Sequence, residues 1–228
     1  MSAIVSVRGL QRHYQQGSFT VKALRGVDLE IEAGEFTALM GPSGSGKSTL
    51  LNIIGGLDAP TSGEAVIDGR DLLAMSPSER SDLRRDRLGF VFQAYNLIPV
   101  LTAVENTEFV MVLQGVPAAE RRERAMATLQ AVGLAGMENR RPSELSGGQQ
   151  QRVAVARAIV TKPALVLADE PTANLDSKTG HELIALMRSL NEDNGVTFLF
   201  ATHDPKVLDA ARRVVSLADG LIEQDVRK

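Results

Sequence analysis

Residues 41–49 read Gly41-Pro42-Ser43-Gly44-Ser45-Gly46-Lys47-Ser48-Thr49, set between an apolar run ending near Met40 and the helix-like Leu50-Leu51-Asn52-Ile53-Ile54. A glycine, four residues and then Gly-Lys-Ser is the P-loop spacing, and it lies here in the strand, loop and helix context its physics requires. Glycines let the backbone curl so that successive N–H groups point inward at an anion, and the positive end of the following helix dipole adds to the attraction. The whole stretch is therefore assigned to nucleoside triphosphate binding, with Lys47 bridging the β- and γ-phosphates and Ser48 ligating Mg2+, Thr49 beside it.

Downstream, Ala164-Leu165-Val166-Leu167-Ala168-Asp169-Glu170 is an apolar run that releases two carboxylates at its carboxyl end, where ligands sit in open α/β sheets. Asp169 is the candidate for holding Mg2+, and Glu170, one residue further on, is placed to polarise an attacking water as general base. Between these elements lies Leu145-Ser146-Gly147-Gly148-Gln149, followed by Gln150-Gln151-Arg152 and a helix rich in valine and alanine. A Ser-Gly-Gly turn opening a helix is a second anion-binding device. One nucleotide in one subunit has no use for both, so the second is expected to serve a neighbouring subunit.

The rest of the chain frames these motifs. Short β-rich segments at Ile4–Val7, Val27–Ile31, Glu35–Leu39 and Ala65–Ile67 read as a sheet edge feeding a nucleotide fold. Between Pro77 and Arg141 the one strong strand is Leu88–Phe92, while Val104–Gln114 and Ala118–Val132 have helical spacing punctuated by Gly115, Pro117 and Gly133. A helical lobe is thus expected to interrupt the sheet. Helix from about Gly148 to Thr161, strand Leu165–Ala168, helix Lys178–Leu190 and strands Val196–Phe200 and Val214–Leu217 then alternate as in a parallel sheet flanked by helices. The 228 residues include 43% hydrophobic side chains and carry a formal charge of −3, which fits one globular domain and gives no global attraction to nucleic acid. The arginines at 84, 85 and 87, at 121, 122 and 124, and at 140 and 141 sit among acidic residues and are read as solvated helix faces. No apolar run approaches the roughly 20 residues of a membrane span, the N-terminus has no basic-then-apolar leader, and the chain has no cysteine. A cytoplasmic protein without direct membrane insertion is expected.

With the P-loop, Leu145–Gln149 and the paired carboxylates in that order, the chain resembles the ABC ATPases over essentially its whole length. The resemblance implies an α/β fold: a P-loop NTPase core with a mostly parallel sheet, an N-terminal antiparallel β-subdomain and an inserted helical subdomain. Residues 1–92 and 146–228 would form the core and β-subdomain, and 93–145 the helical one. It also implies roles for residues that say little alone. Gln93 matches the Q-loop glutamine near Mg2+ and the lytic water, Asp176 of Asn174-Leu175-Asp176 the D-loop, His203 the switch histidine at the γ-phosphate, and Tyr14 the aromatic that stacks on adenine. Leu145–Gln149 becomes the signature that reaches ATP bound to the opposite subunit of a homodimer. His13 and His181 keep ordinary structural readings.

Gly55–Gly63, Gln93–Pro99, Leu101–Asn106 and Asn174–Thr179 further resemble the macrolide-exporter and lipoprotein-releasing ATPases, with the cell-division ABC ATPase a close relative. That group implies ATP and Mg2+ as cofactors and an integral-membrane permease with a large extracytoplasmic domain as partner, the ATPase lying on the cytoplasmic face of the inner membrane. The chain departs from many relatives at Thr107–Met111, which lacks their proline-containing apolar segment. Two functions stay open at this stage: transport or extrusion driven by ATP, and force transmission without solute movement. The nucleic-acid-acting ABC proteins carry coiled-coil insertions or two nucleotide units in one chain, neither of which is present. Gln93–Asn106, with Tyr95, Leu97 and Ile98, is the expected docking surface for the permease.

Overall fold

The computed structural model describes residues 3–17 and 19–228. Strands β1 (Ala3–Gln16) and β2 (Phe19–Glu32) form a long antiparallel hairpin, and β3 (Phe36–Met40) runs straight into the P-loop and helix α1 (Lys47–Ile54). Strands β4 (Ser62–Ile67) and β5 (Arg70–Asp71) extend the hairpin into a four-stranded sheet of order β2-β1-β4-β5. Arg12 faces Leu24 across the hairpin but His13 faces Lys22, so β2 carries one extra residue, Ala23, in a β-bulge. That bulge presses the β2 backbone toward the P-loop: a Cβ on Gly46 would stand 2.6 Å from the Ala23 carbonyl oxygen.

Helix α2 (Pro77–Arg87) and strand β6 (Leu88–Phe92) return the chain to a second sheet, and α3 (Ala103–Leu113) and α4 (Ala118–Ala131) form the helical lobe. Helix α5 (Gly147–Ile159), strand β7 (Leu165–Asp169), helix α6 (Ser177–Asn194), strand β8 (Phe198–Ala201), helix α7 (Pro205–Ala210) and strands β9 (Arg213–Ala218) and β10 (Leu221–Arg227) follow. The second sheet has the order β10-β9-β3-β8-β7-β6, with β10 antiparallel to β9 and the other pairings parallel.

Alternation along these strands divides the apolar residues between two faces. Leu39, Leu165, Leu167, Leu199 and Ala201 point one way and pack with Leu50, Ile53 and Ile54 of α1 and with Leu24, Val27 and Ile31 of the hairpin. Ala38, Val166, Ala168, Phe198 and Phe200 point the other way, onto α5 and α6, where the Phe36 and Phe200 ring centroids are 4.6 Å apart. The helical lobe joins this second core through Val104, Met111, Ala125 and Leu129 against Val153 and Ala156 of α5.

Helix α2 is one element the hydrophobic pattern did not reveal, since Leu83 is its one buried residue. Its start is nonetheless written locally: Ser76 accepts from the Glu79 N–H while Glu79 caps Ser76, with Pro77 at the first helical position. Two of the three arginine clusters need a correction, while Arg140 and Arg141 are exposed. Arg84 donates to the Gly56 carbonyl at 2.6 Å, Arg87 pairs with Asp68, Arg122 reaches the buried Glu108 at 2.8 Å and Arg124 donates to the Val160 carbonyl at 2.8 Å. These side chains tie elements together where charge spacing alone suggested solvated faces.

Candidate functional site

The carboxyl ends of the parallel strands β3, β6, β7 and β8 meet along one edge of the sheet, and each delivers a candidate residue there. A cavity of about 720 Å³ at this edge is lined by Gly41–Gly44, Gly46–Thr49, Tyr14, Gln93, Glu170 and His203, with Val21 and Ala23 of the hairpin. Helix α1 opens on Gly46 in the left-handed region at φ 106°, with no side-chain cap and no acidic residue in its first turn. Its first N–H groups are therefore free to bind an anion, which is the donor set a triphosphate needs. Lys47 is held across the loop mouth, its ammonium donating to the Gly41 and Pro42 carbonyls at 2.8 and 3.0 Å. Two expected residues stand back from the cavity. Ser45 is 3% exposed and turned beneath the loop, where a Cβ on Gly41 would lie 2.8 Å from its hydroxyl. Asp169 sits behind Ser48, whose hydroxyl donates to its Oδ1 at 3.3 Å.

That hydroxyl and carboxylate, one from each motif, are the donor pair suited to a hard divalent cation shared with phosphate oxygens. Burial pushes the Asp169 carboxyl above its usual range and the neighbouring Glu170 adds to the rise, while Ser48 and Lys47 oppose it. A cation beside Asp169 would offset that cost. Glu170 occupies the left-handed region at φ 46°, uncommon for a side chain of its size. Its two carboxylate oxygens are both held: Thr202 donates to Oε2 at 2.9 Å and His203 shares a 2.6 Å hydrogen bond through Nδ1 with Oε1. The expected base and the expected switch histidine are thus in direct contact. Gln93 meets Asn174 through Nε2 at 3.5 Å, and Asn174 returns a bond to the Gln93 carbonyl at 3.0 Å, joining the Q-loop to the D-loop.

None of Leu145–Gln149 lines this cavity among the described residues. Ser146 instead caps α5, accepting from the Gln149 N–H at 3.3 Å while Gln149 accepts from the Ser146 N–H at 2.9 Å. The two glycines have packing reasons of their own. A Cβ on Gly148 would stand 2.3 Å from Thr179 Cγ2 at the start of α6, and one on Gly147 would stand 2.8 Å from the Tyr95 hydroxyl. Asp176 caps α6 through the Thr179 N–H at 3.0 Å, and the Thr179 hydroxyl holds its other oxygen. One residue quoted from the sequence was given no role there. Gln151, fully buried on α5, donates to the Phe92 carbonyl at 3.3 Å and the Pro171 carbonyl at 2.7 Å. It therefore ties the signature helix to the residue before Gln93 and the residue after Glu170.

Comparison with known proteins agrees with this geometry. The family model for ABC transporters matches residues 24–173. The chain belongs to the ABC transporter ATPase family. It is 47% identical over 223 residues to an uncharacterized ABC transporter ATP-binding protein of Thermotoga maritima, covering 98% of this chain and 95% of that protein. A macrolide export ATP-binding/permease protein of Syntrophobacter fumaroxidans is 46% identical over 224 residues, but this chain, 97% covered, spans only 31% of its length. Among solved structures, the ATP-binding cassette MJ0796 of Methanocaldococcus jannaschii, described as a dimer in a post-hydrolysis state bound to ADP and Pi, superposes with a TM-score of 0.90 at 45% identity over 98% of both chains. The ABC ATPase fold follows, and with it ATP binding and hydrolysis.

In this ABC ATPase the segment after the Q-loop is firmly held. Asn106, fully buried, donates to the Ile98, Leu101 and Thr102 carbonyls and accepts from the Ile98 N–H at 2.8 Å, while Arg157 donates to the Tyr95 carbonyl at 2.9 Å. Tyr95 and Asn96 both adopt positive φ there. Tyr95, Leu97 and Ile98 are half-buried, and Leu97 packs against the core. The open apolar surface lies beside them, in a groove of about 370 Å³ whose lining includes Leu57, Phe90, Phe92, Val110 and Leu113. No helix among the described residues is long and apolar enough to cross a membrane.

Proposed function

We propose that this chain is the ATP-hydrolysing motor of an export system, working as a head-to-tail homodimer that encloses two ATP and drives a separate integral-membrane permease with a large extracytoplasmic domain. The observation that carries the reading is the separation of its two anion-binding helix starts: α1 opens into the chain's own cavity, and α5 does not. Two-fold symmetry lets each α5 complete the cavity of the other copy, making both sites at once. Within a site the free α1 N–H groups and Lys47 hold the triphosphate, Tyr14 supports the base, and Ser146 with Gly147 and Gly148 closes on the γ-phosphate from the opposite subunit. Ser48, Asp169 and Gln93 would hold Mg2+, which supplies charge neutralisation of the phosphate oxygens when bound. Glu170, fixed by Thr202 and His203, accepts the proton of the attacking water.

Closure of the pair is passed outward at the Q-loop, where Gln93, the segment to Asn106 and the groove at Leu57 and Leu113 face the permease. Residues 93–145 act as the arm that moves, and 1–92 with 146–228 as the body. The motor works on the cytoplasmic face of the inner membrane. Macrolide-exporting relatives are consistent with extrusion as the output. If two copies build each site, ATPase activity per subunit at saturating ATP rises with protein concentration before reaching a plateau. Activity per subunit that stays constant over a hundredfold dilution, down to concentrations at which the chain is monomeric on a sizing column with ATP, overturns the reading.

A further inference from the structure

Tyr14 reaches the cavity from β1, a strand of the antiparallel sheet, whereas the phosphate cradle belongs to α1 and the parallel sheet. Something must fix the distance between them. Arg12 and Tyr14, two residues apart, share one face of β1, and Arg12 lies with its guanidinium carbon 4.4 Å from the Tyr14 ring centroid. Tyr14 spends its hydroxyl on Asp58, donating to Oδ2 at 2.6 Å. Arg12 donates to the same oxygen through Nε at 3.0 Å and pairs with Oδ1 through Nη2 at 2.7 Å. Asp58 itself is anchored just past the end of α1: its N–H, and that of Leu57, donate to the Asn52 carbonyl at 3.2 and 2.8 Å, and its Oδ1 accepts from the Ala59 N–H at 2.7 Å. Both Arg12 and Asp58 are largely withdrawn from solvent, with side chains 23% and 21% exposed.

We propose that Asp58 and Arg12 are positioning residues for nucleotide binding, a clamp that locks the Tyr14 ring to the far end of the P-loop helix. The proposal rests on the reading of Tyr14 as the base platform. The clamp covers one ring face with the guanidinium and removes the hydroxyl from any contact with the base, leaving the opposite face for stacking. The base is then held by its π-face and not by its hydrogen-bonding edge. Because α1 also carries the phosphate-binding N–H groups, a single rigid element spaces the platform from the cradle.

Tyr14→Phe keeps the ring and deletes the bond to Asp58, and Asp58→Ala deletes the anchor. Each is expected to raise KM for ATP about three- to tenfold, the scale of one hydrogen bond, with kcat nearly unchanged. The pair Tyr14→Phe/Asp58→Ala should be no worse than Asp58→Ala alone, because both act through one contact. Inorganic tripolyphosphate, which has no base, should inhibit wild type and variants equally; a general loosening of the fold would weaken it along with ATP. Tyr14→Ala separates the two layers of the argument. If it leaves KM unchanged, Tyr14 is not the platform and that reading falls. If it raises KM while Tyr14→Phe and Asp58→Ala both leave KM at the wild-type value, the platform stands and the clamp is overturned. A parallel loss of tripolyphosphate inhibition in Tyr14→Phe also overturns it.

Discussion

The starts of helices α1 and α5 use the same backbone chemistry to opposite ends. At α1 the first turn has a left-handed glycine in place of a capping side chain, so its donors are left for a ligand. At α5 Ser146 and Gln149 cap each other, and the two glycines that follow are packed under Thr179 and Tyr95. A glycine at the helix start costs only about a few tenths of a kcal/mol relative to a capping side chain, and it leaves the first N–H groups open to an anion. A capped start is stable empty. On the proposed reading the difference divides the parts: α1 would capture ATP in the lone subunit, and α5 would be a finished surface presented to a partner. Glu170 carries a left-handed backbone next to α1, whereas Ser146 is extended at φ −64° and ψ 161°, as an N-cap prefers.

The comparison can be broken first at Lys47. Its ammonium holds the two loop carbonyls in place until phosphates replace them, so Lys47→Ala is expected to weaken ATP by about 100-fold or more, the scale of a desolvated charge contact. Equilibrium binding of ATP to the variant checks this; near-normal affinity would mean that α1 alone does the capturing. The next effect belongs to α5. Gly148→Ala drives a methyl group into Thr179 Cγ2, an overpacking worth about 1–3 kcal/mol, and should displace the signature turn and slow turnover. Thr179→Ser in the same chain removes that Cγ2 and keeps the hydroxyl on Asp176, so it should restore melting temperature and ATPase rate together. Failure of the second substitution to restore either would mean that Gly148 is required for its N–H geometry and not for packing.

The smallest effect tests the link between the two ends. Gln151→Met takes the buried donor from the Pro171 carbonyl and one of two donors from the Phe92 carbonyl, which keeps the Tyr95 N–H, a cost of about 1–3 kcal/mol. A drop of several degrees in Tm is expected, with kcat falling more than the affinity for ATP, because the two carbonyls flank Gln93 and Glu170, the proposed catalytic residues, and neither belongs to the P-loop. Equal losses in kcat and affinity would make Gln151 a core residue with no part in coupling.

Much of this was legible in the sequence, for identifiable reasons. Leu88–Phe92 and Leu165–Ala168 read as strands because buried parallel strands are continuous apolar runs, and the motifs at their ends then had to share one edge of the sheet. Helix α2 was hidden because one apolar residue gives no periodicity, and β10 because an edge strand of Leu221-Ile222-Glu223-Gln224-Asp225 buries almost nothing. In the site, the P-loop and carboxylate pair could be read from spacing. The contact of Glu170 with His203, the clamp on Tyr14 and the bridge from Gln151 could not, because each joins residues from separate elements whose approach is set by packing. In the expected docking segment, residues 93–106, Asn106 and Arg157 hold the backbone through contacts that spacing does not show, while Val100 stays 72% exposed and the neighbouring groove is lined by Leu57 and Leu113.

The division between a capturing α1 and a presenting α5 is tested most directly by removing the base and watching the subunits. Glu170→Gln keeps the shape and the hydrogen-bonding reach of the side chain but cannot take a proton from water, so turnover should fall by about 100-fold or more while ATP still binds. On a sizing column with ATP and Mg2+ this variant should run as a dimer, and without nucleotide as a monomer. Adding Ser146→Arg, which places a bulky cation on the presenting surface and leaves α1 untouched, should return it to monomer with ATP still bound. A Glu170→Gln protein that remains monomeric with ATP, or a Glu170→Gln/Ser146→Arg protein that still dimerises, would contradict the composite site.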